Sequence, residues 1–147
     1  MILVNIICWV FVVYCLINGR KIEKEVNTGY KYAAVIVFLI LGILFYVSSK
    51  SAIWSASIVL AGVVYSTIPT GYNNNAIYIK GNEYTYKKMT DAKILEEGNC
   101  YRLTFVYKGR PYFISVKKEE RYILEDVIAR YRRSQVLWLM FILFQVF

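Results

Sequence analysis

Asp91, Glu96 and Glu97 are the carboxylates from which a pair for proton transfer, or a hard-metal site, would be assembled. The rest of the sequence gives them no companions. The 147 residues include no histidine, which removes the commonest general base and the commonest metal ligand together. Ser-His and Cys-His nucleophilic catalysis go with it, and no glycine-rich phosphate loop occurs. The three cysteines, Cys8, Cys15 and Cys100, form no C-x-x-C pair. Cys8 and Cys15 lie seven residues apart, on one face of a helix, and read as small apolar packing groups; palmitoylation and an inter-chain disulfide are the alternatives. The expectation is a non-enzymatic protein with no catalytic residue, metal or cofactor.

The basic residues point to a surface rather than to a reaction. The net charge is +8. Basic side chains gather at Arg20, Lys21 and Lys24, at Lys87 and Lys88, and at Arg130, Arg132 and Arg133. "YTYKK" and "YKGRPY" interleave them with aromatic rings, as single-strand nucleic-acid binders do. The neighbouring apolar segments explain the charge better: cytoplasmic segments of membrane proteins carry excess Lys and Arg and face anionic lipid headgroups. Anionic lipid is therefore an expected partner and nucleic acid is not.

These side chains must be placed by the apolar segments. Hydrophobic residues make up 58% of the chain, concentrated before Tyr72 and after Ser134. "MILVNIICWVFVVYCLI" is apolar except for Asn5 and reads as an uncleaved helix, with no basic stretch before it and no small-residue cleavage site after it. Further runs cover about 32–47 and 52–68, and Pro69 and Gly71 end the last of them. A membrane α-helical domain with three transmembrane helices is expected over 1–71, spanning about 1–17, 32–47 and 52–68. The short "SSKS" loop makes the second and third an antiparallel hairpin. In the third, Ala52 and Ala56, Ser57 and Ala61, and Gly62 and Ser66 are pairs of small residues four apart, the spacing that lets helix backbones approach closely in lipid.

Charge asymmetry gives an orientation. The connector after the first span nets +2, and the segment from Lys80 to Arg133 carries 13 basic against 8 acidic residues, whereas the hairpin loop carries only Lys50. The positive-inside rule then places the N-terminus and the hairpin loop outside and the central domain in the cytoplasm.

From Ala76 the period becomes two. "AIYIK" and "EYTYK" flank "GN" at 81–82, "TDAKILEE" and "CYRLTFVYK" flank "GN" at 98–99, and "GR" at 109–110 leads into "PYFISVK". Tyr101, Leu103, Phe105 and Tyr107 share one side. The period then turns helical through Ile123, Leu124, Val127, Ile128 and Tyr131. This predicts a cytosolic α+β domain over 72–133: an antiparallel meander of about five strands followed by a C-terminal amphipathic helix that runs into an apolar tail. "AIYIKGNEYTYKKMTDAKI" and "YRLTFVYKGRPYFISVKKEE" resemble the bacterial pleckstrin-homology-like domains found in small membrane proteins of Gram-positive bacteria, over roughly 75–133. The resemblance implies a binding module with no catalytic residue to carry over. A complete domain of that kind has seven strands. The missing pair leaves open a truncated sheet, an edge completed by a partner, or a different small α+β fold.

The tail, 134–147, contains eleven large apolar side chains from Val136 onward. Left in water they would cost about 15–30 kcal/mol, more than the net stability of a domain of about 5–15. A helix of twelve residues reaches only about 18 Å against a hydrocarbon core of about 30 Å. The expectation is therefore a helix that continues through Arg130, Arg132 and Arg133 and inserts part-way into the membrane or packs on a partner, with Trp138, Phe141 and Phe144 as contacts. The functional expectation is an integral membrane accessory or regulatory protein that binds a larger membrane protein or a second copy of itself. The alternative is an immunity or self-protection protein against a membrane-targeting toxin.

Overall fold

The structure is a computed structural model that describes residues 2–27 and 33–146, with side chains through residue 142. Two compact units interleave along the chain. The first comprises Met1–Lys21, Gly29–Pro69 and Lys80–Asn82; the second comprises Ile22–Thr28, Thr70–Ile79 and Glu83–Phe147. The division is thus not a single cut near residue 71, because the connector after the first helix goes with the second unit.

The first unit contains α1 (Ile2–Gly19), α2 (Ala33–Ser49) and α3 (Ala52–Ser66). Among the described residues one helix, α1, is long and apolar enough to cross a membrane; α2 and α3 are apolar but have 17 and 15 residues, short of the three full spans expected. The hairpin between α2 and α3 closes tightly because glycine meets a neighbour at two points. A Cβ on Gly42 would run into Val59, and one on Gly62 would run into Phe38. Helix α1 is held to α3 by polar groups. Asn5, 3% exposed, donates from Nδ2 to the Trp54 carbonyl (3.1 Å), and its Oδ1 accepts from the Ser57 hydroxyl (2.8 Å). The same Ser57 oxygen accepts from Trp9 Nε1 (3.0 Å). The one polar interruption of the first apolar run is therefore an interhelical hydrogen-bonding group whose alternative, buried as it is, would be an unpaired amide. At the far end of α3, Lys80 Nζ donates to the carbonyls of Ser66 (3.2 Å) and Ile68 (3.0 Å), where carbonyls lack partners along the helix.

Among the described residues the second unit has seven strands rather than about five. They are β1 (Lys24–Val26), β2 (Thr70–Tyr72), β3 (Ala76–Ile79), β4 (Asn82–Thr85), β5 (Met89–Glu97), β6 (Cys100–Tyr107) and β7 (Arg110–Lys117). They form two sheets, ordered β1-β2-β3-β4 and β5-β6-β7. The two additional strands have three residues each and flank the apolar helices. Their antiparallel register sets Lys24 against Tyr72 and Val26 against Thr70. Gly71 makes the pairing possible, since a Cβ there would meet the Lys24 carbonyl. Two turns fall one residue earlier than the glycine pattern implies: Lys80 and Gly81 (φ 50° and 79°), and Lys108 and Gly109 (φ 51° and 77°), are the left-handed pairs. A two-residue turn of this kind needs positive φ at both central positions, so Asn82 and Arg110 open the following strands.

A 26-residue helix, α4 (Arg121–Val146), follows and runs unbroken from the predicted amphipathic segment into the apolar tail. Ile123, Leu124 and Val127 enter one core with Val26, Tyr72, Ile77, Tyr86, Leu103 and Phe105. The predicted inner face of β6 is correct at Leu103 and Phe105, both fully buried, with Tyr101 and Tyr107 packed beside them. Beyond the core, α4 exposes Val136, Leu137, Leu139 and Phe141, each more than half accessible.

Replacing Asn5 with Leu and Ser57 with Ala, singly and together, is expected to show a coupling of about 0.6–1.7 kcal/mol in detergent unfolding. Purely additive losses would mean that the pair does not join α1 to α3.

Candidate functional site

The candidate site of the second unit is a groove where α4 leaves the core, and three local structures build it. The first is the β2–β3 turn. Asn73 Oδ1 accepts from the backbone N–H of Asn75 (2.8 Å) and of Ala76 (2.9 Å), an Asx turn that presents Asn74 and Asn75 outward. The second is the short 3₁₀ turn Tyr86–Lys88. The Tyr86 ring is fully buried and its hydroxyl donates to the Asn73 carbonyl (3.1 Å). Gln135 Nε2 donates to the carbonyls of Tyr86 (3.0 Å) and Met89 (3.3 Å), which seats this turn on α4 and leaves Lys87 exposed beside it. The third is α4 itself.

Asp126 and Arg130 join these pieces. The Asp126 carboxylate accepts from Lys24 Nζ (3.0 Å), the Tyr72 hydroxyl (2.8 Å) and Arg130 Nε (3.3 Å). One helical side chain thereby ties β1, β2 and α4 together. The hydrogen bond from Lys24, followed by those from Tyr72 and Arg130, holds its carboxyl down to about 2 against the opposing effect of desolvation. Burial first, then the bond to Asp126, pushes the Tyr72 phenol well above its ordinary range. Arg130 also reaches the Glu23 carboxylate (3.5 Å) and the Asn74 side-chain oxygen, and its guanidinium lies 5.2 Å from the centre of the Tyr72 ring.

Between the turns and α4 runs a groove of about 510 Å³. Asn74, Asn75, Lys87, Arg130, Arg133 and Ser134 line one end; Leu137, Trp138 and Phe141 line the other. On α4 these positions recur at three- and four-residue steps, so they form one stripe of the helix.

The residues singled out from sequence divide accordingly. Lys87 and Arg133 meet at the groove, while Lys88 and Arg132 are exposed outside its lining. Arg20 and Lys21 are exposed at the end of α1. Lys24 and Arg130 are both engaged by Asp126; the Lys24 side chain stays 57% exposed, whereas the Arg130 side chain is only 17% exposed. Of the small residues in α3, Ala61 and Gly62 are buried and Ser57 is half-buried in the Asn5 network. Ala52 and Ala56 are exposed, and the Ser66 hydroxyl donates back to the Val63 carbonyl (2.6 Å). Trp138 and Phe141 are exposed along the groove, whereas the side chain of Phe144 lies outside the described residues. All three cysteines are free, with Cys15 fully buried.

The carboxylates of the β5 region do not converge. Asp91 sits at φ 53° within the bulge between Thr90 and Lys93, a conformation that aspartate tolerates better than most residues. Glu96 pairs with Lys118 (2.9 Å) and Glu97 with Arg102 (2.7 Å), and as strand neighbours they point to opposite faces. No sequence signal marked Asp126, because its importance rests on a tyrosine and a lysine more than 50 residues away. Comparison with protein-family models, with curated proteins and with solved structures returned no match.

Because Asp126 has a depressed pKa in the folded state, its contribution to stability is complete above the ordinary carboxyl range and is lost as pH falls toward about 2. Between about pH 4 and pH 2 the wild type should therefore lose more thermal stability than Asp126→Asn does. Parallel losses would show that the carboxylate is not held by these donors.

Proposed function

We propose that this chain is a non-enzymatic, multi-pass membrane accessory protein whose sheet unit docks onto a larger membrane protein in the cytoplasm. The observation that carries the proposal is the outer face of β5-β6-β7. Leu95 stands opposite Arg102, and Thr104 opposite Phe113, so Leu95, Arg102 and Phe113 share the face turned away from the core. Leu95 is 46% and Phe113 54% exposed, and the Arg102 guanidinium lies 4.6 Å from the centre of the Phe113 ring. An exposed aromatic, an arginine stacked on it and an adjoining aliphatic make up the composition that dominates binding energy at protein interfaces. The seven strands closed by one helix match the number that the resemblance to pleckstrin-homology-like domains implies, which supports reading the unit as a binding module.

The membrane placement rests on apolar surface and charge. Helix α1 exposes Leu3, Ile7, Val10 and Ile17; α2 exposes Ile36, Ile43, Leu44 and Val47. Hydrocarbon is the medium in which such surface costs nothing. Taken as spans, α2 and α3 reach about 26 and 23 Å. A thinned bilayer and a snorkelling Lys50 accommodate that shortfall. The excess of basic residues in the connector and the sheet unit supports reading both as cytoplasmic and the N-terminus as outside.

Purification of the full chain in mild detergent should recover a stoichiometric membrane protein, and the exposed-face variant Leu95→Ser/Phe113→Ser should lower its recovery about tenfold or more with an unchanged melting temperature. Recovery of a second copy of the chain alone would replace the accessory role with a homo-oligomeric one. Equal recovery by wild type and variant, or a chain that stays dispersed without detergent, would refute the proposal.

A further inference from the structure

The groove beside α4 has a charge pattern that no internal contact uses. Lys87 and Arg133 line its polar end, both are exposed, and neither makes a hydrogen bond or ion pair with any described residue. Arg130, in the same lining, is held in place by Asp126, Glu23 and Asn74. Among the described residues no Asp or Glu lines the groove. Two uncompensated cations beside a fixed third, with Asn75 and Ser134 as neutral donors, are complementary to a phosphate. One to two turns further along the same stripe the lining becomes Leu137, Trp138 and Phe141, apolar apart from the Trp138 indole N–H. From Arg130 to Phe141 the helix rises about 16 Å, enough to carry a headgroup at one end and the first part of a hydrocarbon chain at the other.

The geometry points to a site for one anionic phospholipid, its headgroup phosphate between Lys87 and Arg133 and an acyl chain along Leu137, Trp138 and Phe141. This rests on the membrane placement proposed above but requires no protein partner. A free phosphate would leave the apolar half of the groove empty. An acidic peptide would place its own backbone N–H and C=O groups there, where the lining offers the Trp138 indole N–H and no acceptor side chain. The site differs from general attraction to an anionic surface, which would draw equally on the exposed Lys88 and Arg132 outside the groove.

Native mass spectrometry of the full chain released from nanodiscs of mixed phosphatidylglycerol and phosphatidylcholine tests the site. One phosphatidylglycerol should remain per chain. Lys87→Gln/Arg133→Gln should weaken its retention about tenfold or more, since each lost contact is a charge-assisted hydrogen bond. The control Lys88→Gln/Arg132→Gln, with the same change in charge, should leave retention within about twofold of wild type. A second measurement needs no charge variant: phosphatidylglycerol brominated on its acyl chain should quench the fluorescence of wild type more than that of Trp138→Phe, and brominated phosphatidylcholine should quench the two alike. Equal loss in both charge variants, retention of phosphatidylcholine, or displacement of the lipid by inorganic phosphate or by an acidic peptide would overturn the proposal. Fractionation of the chain without detergent, before lipid is added, separates this result from a failure of the membrane placement.

Discussion

A single carboxylate holds the sheet unit closed. Asp126 projects from α4 and accepts hydrogen bonds from β2 through Tyr72, from β1 through Lys24 and from its own helix through Arg130. Remove it and three consequences follow from the geometry. The Tyr72 hydroxyl loses its acceptor, Arg130 loses the ligand that keeps it against the Tyr72 ring, and the three-residue β1 retains only its ladder to β2. Arg130, with its side chain only 17% exposed, would keep only Glu23 at 3.5 Å as a counter-charge, and a weakly paired buried cation is costly, so the network is worth more than separate surface pairs, which each contribute little.

The same constraint explains why the connector between α1 and α2 is part of the folded unit. It supplies Glu23 to Arg130, Lys24 to Asp126 and Val26 to the core. The chain thus enters the sheet unit, leaves it for the helical hairpin and returns at Thr70. The two crossings place β1 and β2 side by side, and Gly71 gives them the clearance to pair. In the helical unit the Asn5, Ser57 and Trp9 network plays the corresponding part: buried and half-buried polar groups satisfy one another between helices.

Much of the architecture was legible in the sequence where a long periodic pattern carried it. The apolar helices, β5 through β7, and the run of Ile123, Leu124, Val127, Ile128 and Tyr131 all announce themselves by period. What stayed hidden depends on partners distant in sequence. "KEV" and "TGY" are too short to show alternation and are strands only because they pair with each other. The turns shifted by one residue because Lys80 and Lys108 take up the first left-handed position, which glycine-based reading assigns to glycine. Arg130 reads as one more cation in a basic run; only the positions of Asp126, Glu23 and Asn74 separate it from Arg132 and Arg133. The groove was half visible: its basic and apolar residues were each noted, but their convergence with Lys87 on one stripe depends on the Gln135 contact that seats the 3₁₀ turn.

Hydrogen–deuterium exchange on the full chain in detergent tests the central claim most directly, because it reads β1 itself. If the connector is a strand held by Asp126, the amides of Lys24–Val26 exchange slowly in the wild type and quickly in Asp126→Asn, while β6 stays protected in both. Fast exchange at Lys24–Val26 in the wild type would contradict the account.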